Sequence, residues 1–376
     1  MGGAQAGGPS SSLPIYIEGN KPTRRVAALS GSEIVSASYR TEGVYEAGDV
    51  VLQSGLTYRG LRIGYATYGK LNANRDNVIL FPTSYGATHL DQEHMIEPGG
   101  ALDPDRYFIV IPNLFGNGIS SSPSTSAWPH VGPRYPHTTL YDAVHVQQRM
   151  LAEVWGIEEL ALVYGFSMGA MQAYHWAALF PDRVRRIAAV CGAARCSPYN
   201  RVFIDAASLA LTADAAWQDG EFRAFPQRGF RAMGRVYAAA GLSQDFYREE
   251  AWRTLGASSL EDYLIRFWEG HFSRRDPADL LAQFWSWQHG DIAANDQYQG
   301  DFVAALRAIT AEVLLMPGDH DMYFRVADSE IEMGHLRRAQ LKPIPSIWGH
   351  RAGNPNGLPA ERAWIAREVQ ALLARG

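Results

Sequence analysis

Residues Leu160–Phe180 read LALVYGFSMGAMQAYHWAALF, and the order of their parts decides the architecture. The opening run, LALVY, is continuously apolar, as in a strand buried on both faces of a parallel sheet. The turn Gly165-Phe166-Ser167-Met168-Gly169 follows at once, and the helix-like run from Met168 stops at Phe180, before Pro181. Strand, tight turn and helix is the context in which a G-x-S-x-G segment has mechanical meaning. The flanking glycines tolerate close backbone approach, so the Ser167 hydroxyl is presented above the sheet. The Met168 N–H, at the helix N-terminus, points toward charge that would develop on an attacked carbonyl. Ser167 is therefore a candidate nucleophile. The bland alternative is a Gly-rich turn with an incidental serine.

Outward from this unit, short apolar runs recur at Val78–Pro82, Tyr107–Pro112, Arg186–Val190, Val313–Met316 and Pro343–Trp348, with a helical pattern over Tyr141–Trp155. This alternation predicts an α/β architecture with a mostly parallel central sheet flanked by helices. Ahead of it, VVLQSG from Val50 and LRIGYATYG from Leu61 predict an antiparallel edge pair. Between about Cys196 and Leu306 the alternation breaks. That segment is rich in Trp, Phe, Tyr and Arg, shows no strand-like run, and predicts helices over Phe222–Ala240, Ser258–Phe272 and Asp279–His289. We read 196–305 as a helical lid over the sheet's C-terminal edge, where ligands bind in open α/β folds. It interrupts a core of 50–195 and 306–376. Residues 1–49, Gly/Ser/Ala-rich at their start, are expected to be a flexible tail and lead-in.

Composition narrows the function classes. The chain has 376 residues, of which 47% are apolar, and a net charge of −5. So mild an acidity offers no broad attraction to nucleic acid or anionic membrane. No apolar run approaches the roughly 20 residues that cross a bilayer, and the N-terminus lacks the basic start and apolar stretch of a signal peptide. Cys191 and Cys196 supply neither a disulfide framework nor a zinc pattern. No P-loop, HExxH or GxGxxG fingerprint occurs, so no metal or other cofactor is expected. A cytoplasmic location is the expectation.

A nucleophilic serine needs a base, and the base an orienting acid. Downstream, VLLMPGDHDMYF places Asp319 and Asp321 just beyond a strand-like run, and PIPSIWGHRAGN places His350 beyond the next. Serine, acid, histidine is the chain order such a turn calls for. His350 is the expected base. Asp321 is favoured over Asp319, because an Asp directly after Gly318 is often a turn former. Its position further along the loop also leaves room to reach the histidine. The second donor to the oxyanion is expected from the loop after Val78–Pro82, at the Ser84 N–H, with Thr83 close behind.

These stretches resemble the homoserine O-acetyltransferase group of the α/β-hydrolase superfamily. The resemblance is carried by FIVIPNLFGNGISSSPS from Phe108, by Tyr135–Ile187 around the serine turn, and by the GDHD and WGH loops. It runs from about Leu56 to the C-terminus and is weakest in the lid. It implies an acyl-enzyme on Ser167 with Asp321 and His350, and a lid through which such proteins often pair as homodimers.

The departures bear on substrate. Homoserine-acetylating members carry an Arg in the first lid helix that grips the substrate carboxylate. Here Gly234 takes that place, with Arg235 one position on, and Arg231 is a second lid arginine. Those members also carry an Asp directly after the histidine, where this chain has Arg351. Phe166 and Ala170 stand where the transferases commonly have glycines. Phe166, Arg235 and Arg351 are thus the candidate substrate contacts. Some similar proteins are esterases that use water as acceptor, and this sequence resembles that branch more. The expectation is a serine carboxylesterase for short-chain, acetate-type esters. An acyl-CoA-dependent O-acyltransferase is the alternative.

Overall fold

The computed structural model describes residues 40–375. The expected N-terminal tail lies, as far as residue 39, outside the described residues. The remainder of that stretch is not a lead-in, because β1 (Arg40–Val51) makes the sheet begin ahead of the expected boundary at Val50. Only Tyr45 and Ala47 of β1 are buried, between exposed neighbours. That half-exposed alternation belongs to an edge strand and carries a weak apolar signal.

β2 (Thr57–Tyr68), β3 (Val78–Leu80), β4 (Phe108–Pro112), helix α1 (Leu140–Trp155), β5 (Leu162–Phe166), α2 (Met168–Leu179) and β6 (Arg186–Val190) follow. Further on come α9 (Phe302–Ala308), which straddles the expected end of the lid, β9 (Glu312–Met316), α10 (Val326–Met333), β10 (Ala339–Leu341) and α11 (Pro359–Leu373). The sheet has eight strands in the order β1-β2-β4-β3-β5-β6-β9-β10. β2 runs antiparallel to both β1 and β4, and every other neighbouring pair is parallel.

The middle strands are buried on both faces, and the two-residue side-chain period divides them. Val78, Leu80, Val163, Ile187, Val313 and Leu315 pack with α1 and α2. Ile79, Leu162, Tyr164, Ala188, Val190 and Leu314 pack on the opposite side with Ile365 and Val369 of α11. Full burial of one such aliphatic side chain contributes about 1.5–3 kcal/mol. Every residue of α2 is buried, which is why its sequence is apolar all round rather than on one stripe.

The predicted last strand, Pro343–Trp348, is a correction. The ladder to β9 is made by Ala339–Leu341, and Ile344 contributes a single bridge to Gly318. Pro343 and Pro345 have no N–H to donate, so that run cannot sustain a ladder.

Within 196–305 the chain forms α3 (Pro198–Thr212), a hairpin of β7 (Trp217–Gln218) and β8 (Glu221–Phe222), then α4 (Gln227–Gly241) and α5 (Gln244–Arg248). α6 (Leu260–Tyr263) continues through a π-helical stretch, Leu264–Glu269, into α7 (Gly270–Phe272), and α8 (Pro277–Gln288) closes the segment. The hairpin corrects the all-helical expectation. Its turn residues, Asp219 and Gly220, both have positive φ, the conformation that Asp-Gly supplies in a tight hairpin. Helix α3 is a further addition to the expected helices, although Ser197 caps it and Pro198 opens it. Among the described residues, no helix is long and apolar enough to cross a membrane.

Candidate active site

The turn between β5 and α2 forces Ser167 into a backbone conformation of φ 56°, ψ −124°. Such a conformation costs on the order of 1–3 kcal/mol in a non-glycine residue and persists only where its surroundings impose it. The surroundings here are backbone. A Cβ on Gly165 would lie 2.2 Å from the Gly169 carbonyl oxygen, and one on Gly169 would lie 2.6 Å from that of Pro82. Both glycines are therefore required for the close approach of strand, helix and the loop after β3.

Ser167 is 3% exposed and faces the loop Gly349–Gly353. Its Oγ lies 2.9 Å from His350 Nε2. His350 Nδ1 lies 2.8 Å from Asp321 Oδ2. The second oxygen, Asp321 Oδ1, accepts from the backbone N–H groups of Tyr323 (2.8 Å) and Phe324 (3.2 Å). The carboxylate is thus fixed at both ends in a buried position. Asp319 is exposed, and its N–H donates to the Ile344 carbonyl oxygen at 3.0 Å. It anchors the loop while Asp321 reaches His350. His320 turns elsewhere, to the Ser346 carbonyl and to Asp245.

The loop after β3 is held against α2 from two sides. Ser84 Oγ donates to the Phe166 carbonyl at 2.8 Å, and Gln172 Nε2 to the Thr83 carbonyl at 2.9 Å. Gln172 is itself oriented by Gln147, which accepts from Trp176 Nε1. All three side chains are fully or almost fully buried, and a satisfied buried network of this kind holds its members rigidly. Among the described residues, no hydrogen bond engages the N–H of Ser84 or of Met168. Met168 opens α2, so its N–H has no intrahelical partner.

The three candidate substrate contacts meet different surroundings. Phe166 packs behind the histidine, its ring 4.8 Å from that of His350. Arg235 is drawn off by Glu261 and Glu269, with Nη1–Oε2 and Nε–Oε1 distances of 3.1 Å. Arg231 pairs with the same Glu269. Neither lid arginine is brought to the triad. Arg351 lies with its guanidinium 4.7 Å from the Phe267 ring and 5.1 Å from that of Trp348, in cation–π contact with both.

Two features carry no signal in the sequence pattern. Cys191 is a buried thiol whose Sγ lies within 4.8 Å of the Asp321 and His350 ligand atoms. Burial, then the neighbouring Asp321 charge, pushes that thiol well above its ordinary pKa. It therefore stays protonated and is no rival nucleophile. The other is a set of aromatic side chains around the histidine. Tyr323 sits edge-on to His350 at 4.8 Å, Phe324 lies tilted to it at 5.6 Å, and Trp287, Phe203, Tyr237, Tyr85 and Phe284 continue the cluster.

Residues 77–345 match the alpha/beta hydrolase fold. The chain is 36% identical to the ethyl acetate hydrolase of Pseudomonas veronii, over 83% of this chain and 92% of the relative. It is 31% identical to the homoserine O-acetyltransferase of Geobacter sulfurreducens, over 81% of this chain and 90% of the relative. The crystal structure of an acetylester hydrolase from Corynebacterium glutamicum superposes with a TM-score of 0.84 at 34% identity, covering 89% of this chain and 96% of that one.

Proposed function

The chain belongs to the α/β-hydrolase family, in the branch shared by acetyl esterases and homoserine O-acetyltransferases, and from that membership we propose a serine carboxylesterase acting on short-chain, acetate-type esters. The observation that carries the reaction type is the hydrogen-bonded series Ser167–His350–Asp321, its serine and aspartate buried and its histidine half-buried. Ser167 Oγ attacks the ester carbonyl carbon while His350 Nε2 takes its proton. Asp321 holds the imidazole in the tautomer with Nδ1–H and stabilises the imidazolium. The N–H groups of Met168 and Ser84 receive the oxyanion. As the tetrahedral adduct collapses, the C–O bond to the alcohol breaks, and His350 returns its proton to the departing alkoxide. Water then gives a proton to His350 as its oxygen attacks acyl-Ser167. Collapse of the second adduct releases the carboxylic acid and restores the serine hydroxyl. No step calls on a metal or redox group.

The acceptor separates esterase from transferase. A second substrate must outcompete water at about 55 M, which calls for dedicated anchors. Arg235 is engaged by two glutamates, so a carboxylate would have to displace them. Arg351, held against Phe267 and Trp348, supplies a positive charge at the position where the resemblance calls for an Asp to meet the ammonium of homoserine. Both observations favour water. With one purified preparation, hydrolysis of ethyl acetate is expected to exceed acetyl transfer from acetyl-CoA to homoserine by at least about 100-fold, a difference of about 2.7 kcal/mol. Homoserine acetylation at the higher rate would make the chain an acyl-CoA-dependent O-acyltransferase.

The same reading includes a cytoplasmic homodimer joined through the lid. Its support is a stripe on α3: Tyr199, Val202, Ala206 and Leu209 recur at three- and four-residue spacing on an exposed face, Val202 at 69% and Leu209 at 67% exposure. A single-subunit mass for the unaltered protein by light scattering would end this assignment. The expected result is a dimer that the double variant Val202→Asp/Leu209→Asp converts to monomer.

A further inference from the structure

Beside the triad, four buried hydrogen-bonding atoms find no partner outside their own group among the described residues: the hydroxyls of Tyr85 and Tyr237, which face one another, the Tyr323 hydroxyl and the Trp287 Nε1–H. Tyr237, Tyr323 and Trp287 are 6%, 2% and 1% exposed. Their rings form one cluster. Tyr85 stacks on Tyr237 at 5.8 Å and lies 5.9 Å from Trp287, and Trp287 meets Tyr323 edge-on at 5.8 Å. Buried polar groups in native proteins are almost always paired, and an unpaired one calls for an explanation. Four on adjoining rings call for a shared one. Burial pushes all three tyrosines well above the ordinary phenol range. They therefore remain neutral hydroxyls that can both donate and accept.

The cluster is bounded by the reacting groups. Tyr85 follows Ser84 directly in the chain, and Tyr323 combines an N–H bond to Asp321 with ring contact to His350. His350 must protonate the departing alkoxide, so the alcohol half of an ester leaves on the histidine's side, where Tyr323 stands. An acetyl methyl has nothing to offer a hydroxyl. A polar oxygen on the alcohol half does. Phe203 and Phe284 pack on Tyr237 with purely apolar surface, which suits a short carbon chain.

The geometry points to a receptor for a hydrogen-bonding oxygen on the alcohol side of the ester, formed by Tyr85, Tyr237, Tyr323 and Trp287. It makes acetate monoesters of short diols, rather than simple alkyl acetates, the preferred substrate class. This inference rests on the esterase reading and narrows it.

The test compares kcat/KM for 2-hydroxyethyl acetate and propyl acetate, which differ by a hydroxyl in place of a methyl. The unaltered enzyme is expected to favour the hydroxy ester by at least about 10-fold, since a site built to bond a hydroxyl discriminates against its absence. Tyr323→Phe is expected to bring that ratio toward one without lowering Tm, because it removes an oxygen that has no hydrogen-bond partner among the described residues. A hydroxyl with a merely structural role would lower Tm and leave the ratio unmoved, which overturns the inference. Hydrolysis of both esters without preference overturns it while leaving the esterase reading intact. Hydrolysis of neither ester overturns the esterase reading, and the inference with it.

Discussion

Ser167→Ala is expected to lower kcat for ester hydrolysis by roughly 10⁶-fold, the scale on which loss of a triad serine acts in a serine hydrolase. The same substitution should abolish covalent labelling by a fluorophosphonate. Every bond-making step passes through this one oxygen, and His350 Nε2 has no other hydroxyl partner among the described residues. Cys191 lies close to the same histidine, but its thiol is buried and held protonated, so it offers no bypass. Mass spectrometry of the labelled, digested protein checks the assignment. An adduct on any residue but Ser167 would overturn it. Alanine also suits the fold, since the strained turn is imposed by the contacts of Gly165 and Gly169 rather than by the hydroxyl. The variant should therefore keep its Tm and isolate the chemical defect.

Much of this site is legible in the sequence because its parts sit at strand ends, where hydropathy changes abruptly. Ser167 follows β5, Asp321 follows β9, and the sheet order puts β6 between those two strands. Pattern misleads where local chemistry competes with it. Pro343 and Pro345 break a run that looks strand-like by hydropathy alone. β1 escapes notice because two glycines and several acids dilute its alternation, although pairing with β2 secures it. Asp219-Gly220 is a recognisable hairpin turn, but two-residue strands leave no periodicity to notice. The tyrosine cluster is not legible at all. It assembles residues 85, 237, 287 and 323 from four separate elements, and nothing local marks a hydroxyl as unpaired. The fate of Arg235 is equally hidden, because Glu261 and Glu269 reach it across the lid rather than along one helix.

Asp321→Asn is expected to reduce kcat by about 10⁴-fold, the loss seen when a triad aspartate becomes its amide. The structure supplies the reason for this chain. Asp321 Oδ1 accepts from two backbone N–H groups, of Tyr323 and Phe324, and in the variant only the amide oxygen can keep those bonds. The amide NH₂ is then turned toward His350 Nδ1, where it must donate. A histidine that accepts at Nδ1 carries its proton on Nε2, facing Ser167, and cannot take the serine's proton. The side chain stays packed and hydrogen-bonded, so the loss should appear in kcat rather than in Tm. Asp319→Asn is the internal control. Its side chain is exposed, and its structural bond to Ile344 is made by the backbone. It should change kcat/KM by no more than about twofold, the scale of the ±0.5 kcal/mol that surface substitutions reach. Steady-state rates for the two variants on one acetate ester decide the matter. Equal losses, or a larger loss at Asp319, would remove Asp321 from the orienting role and require another carboxylate for His350.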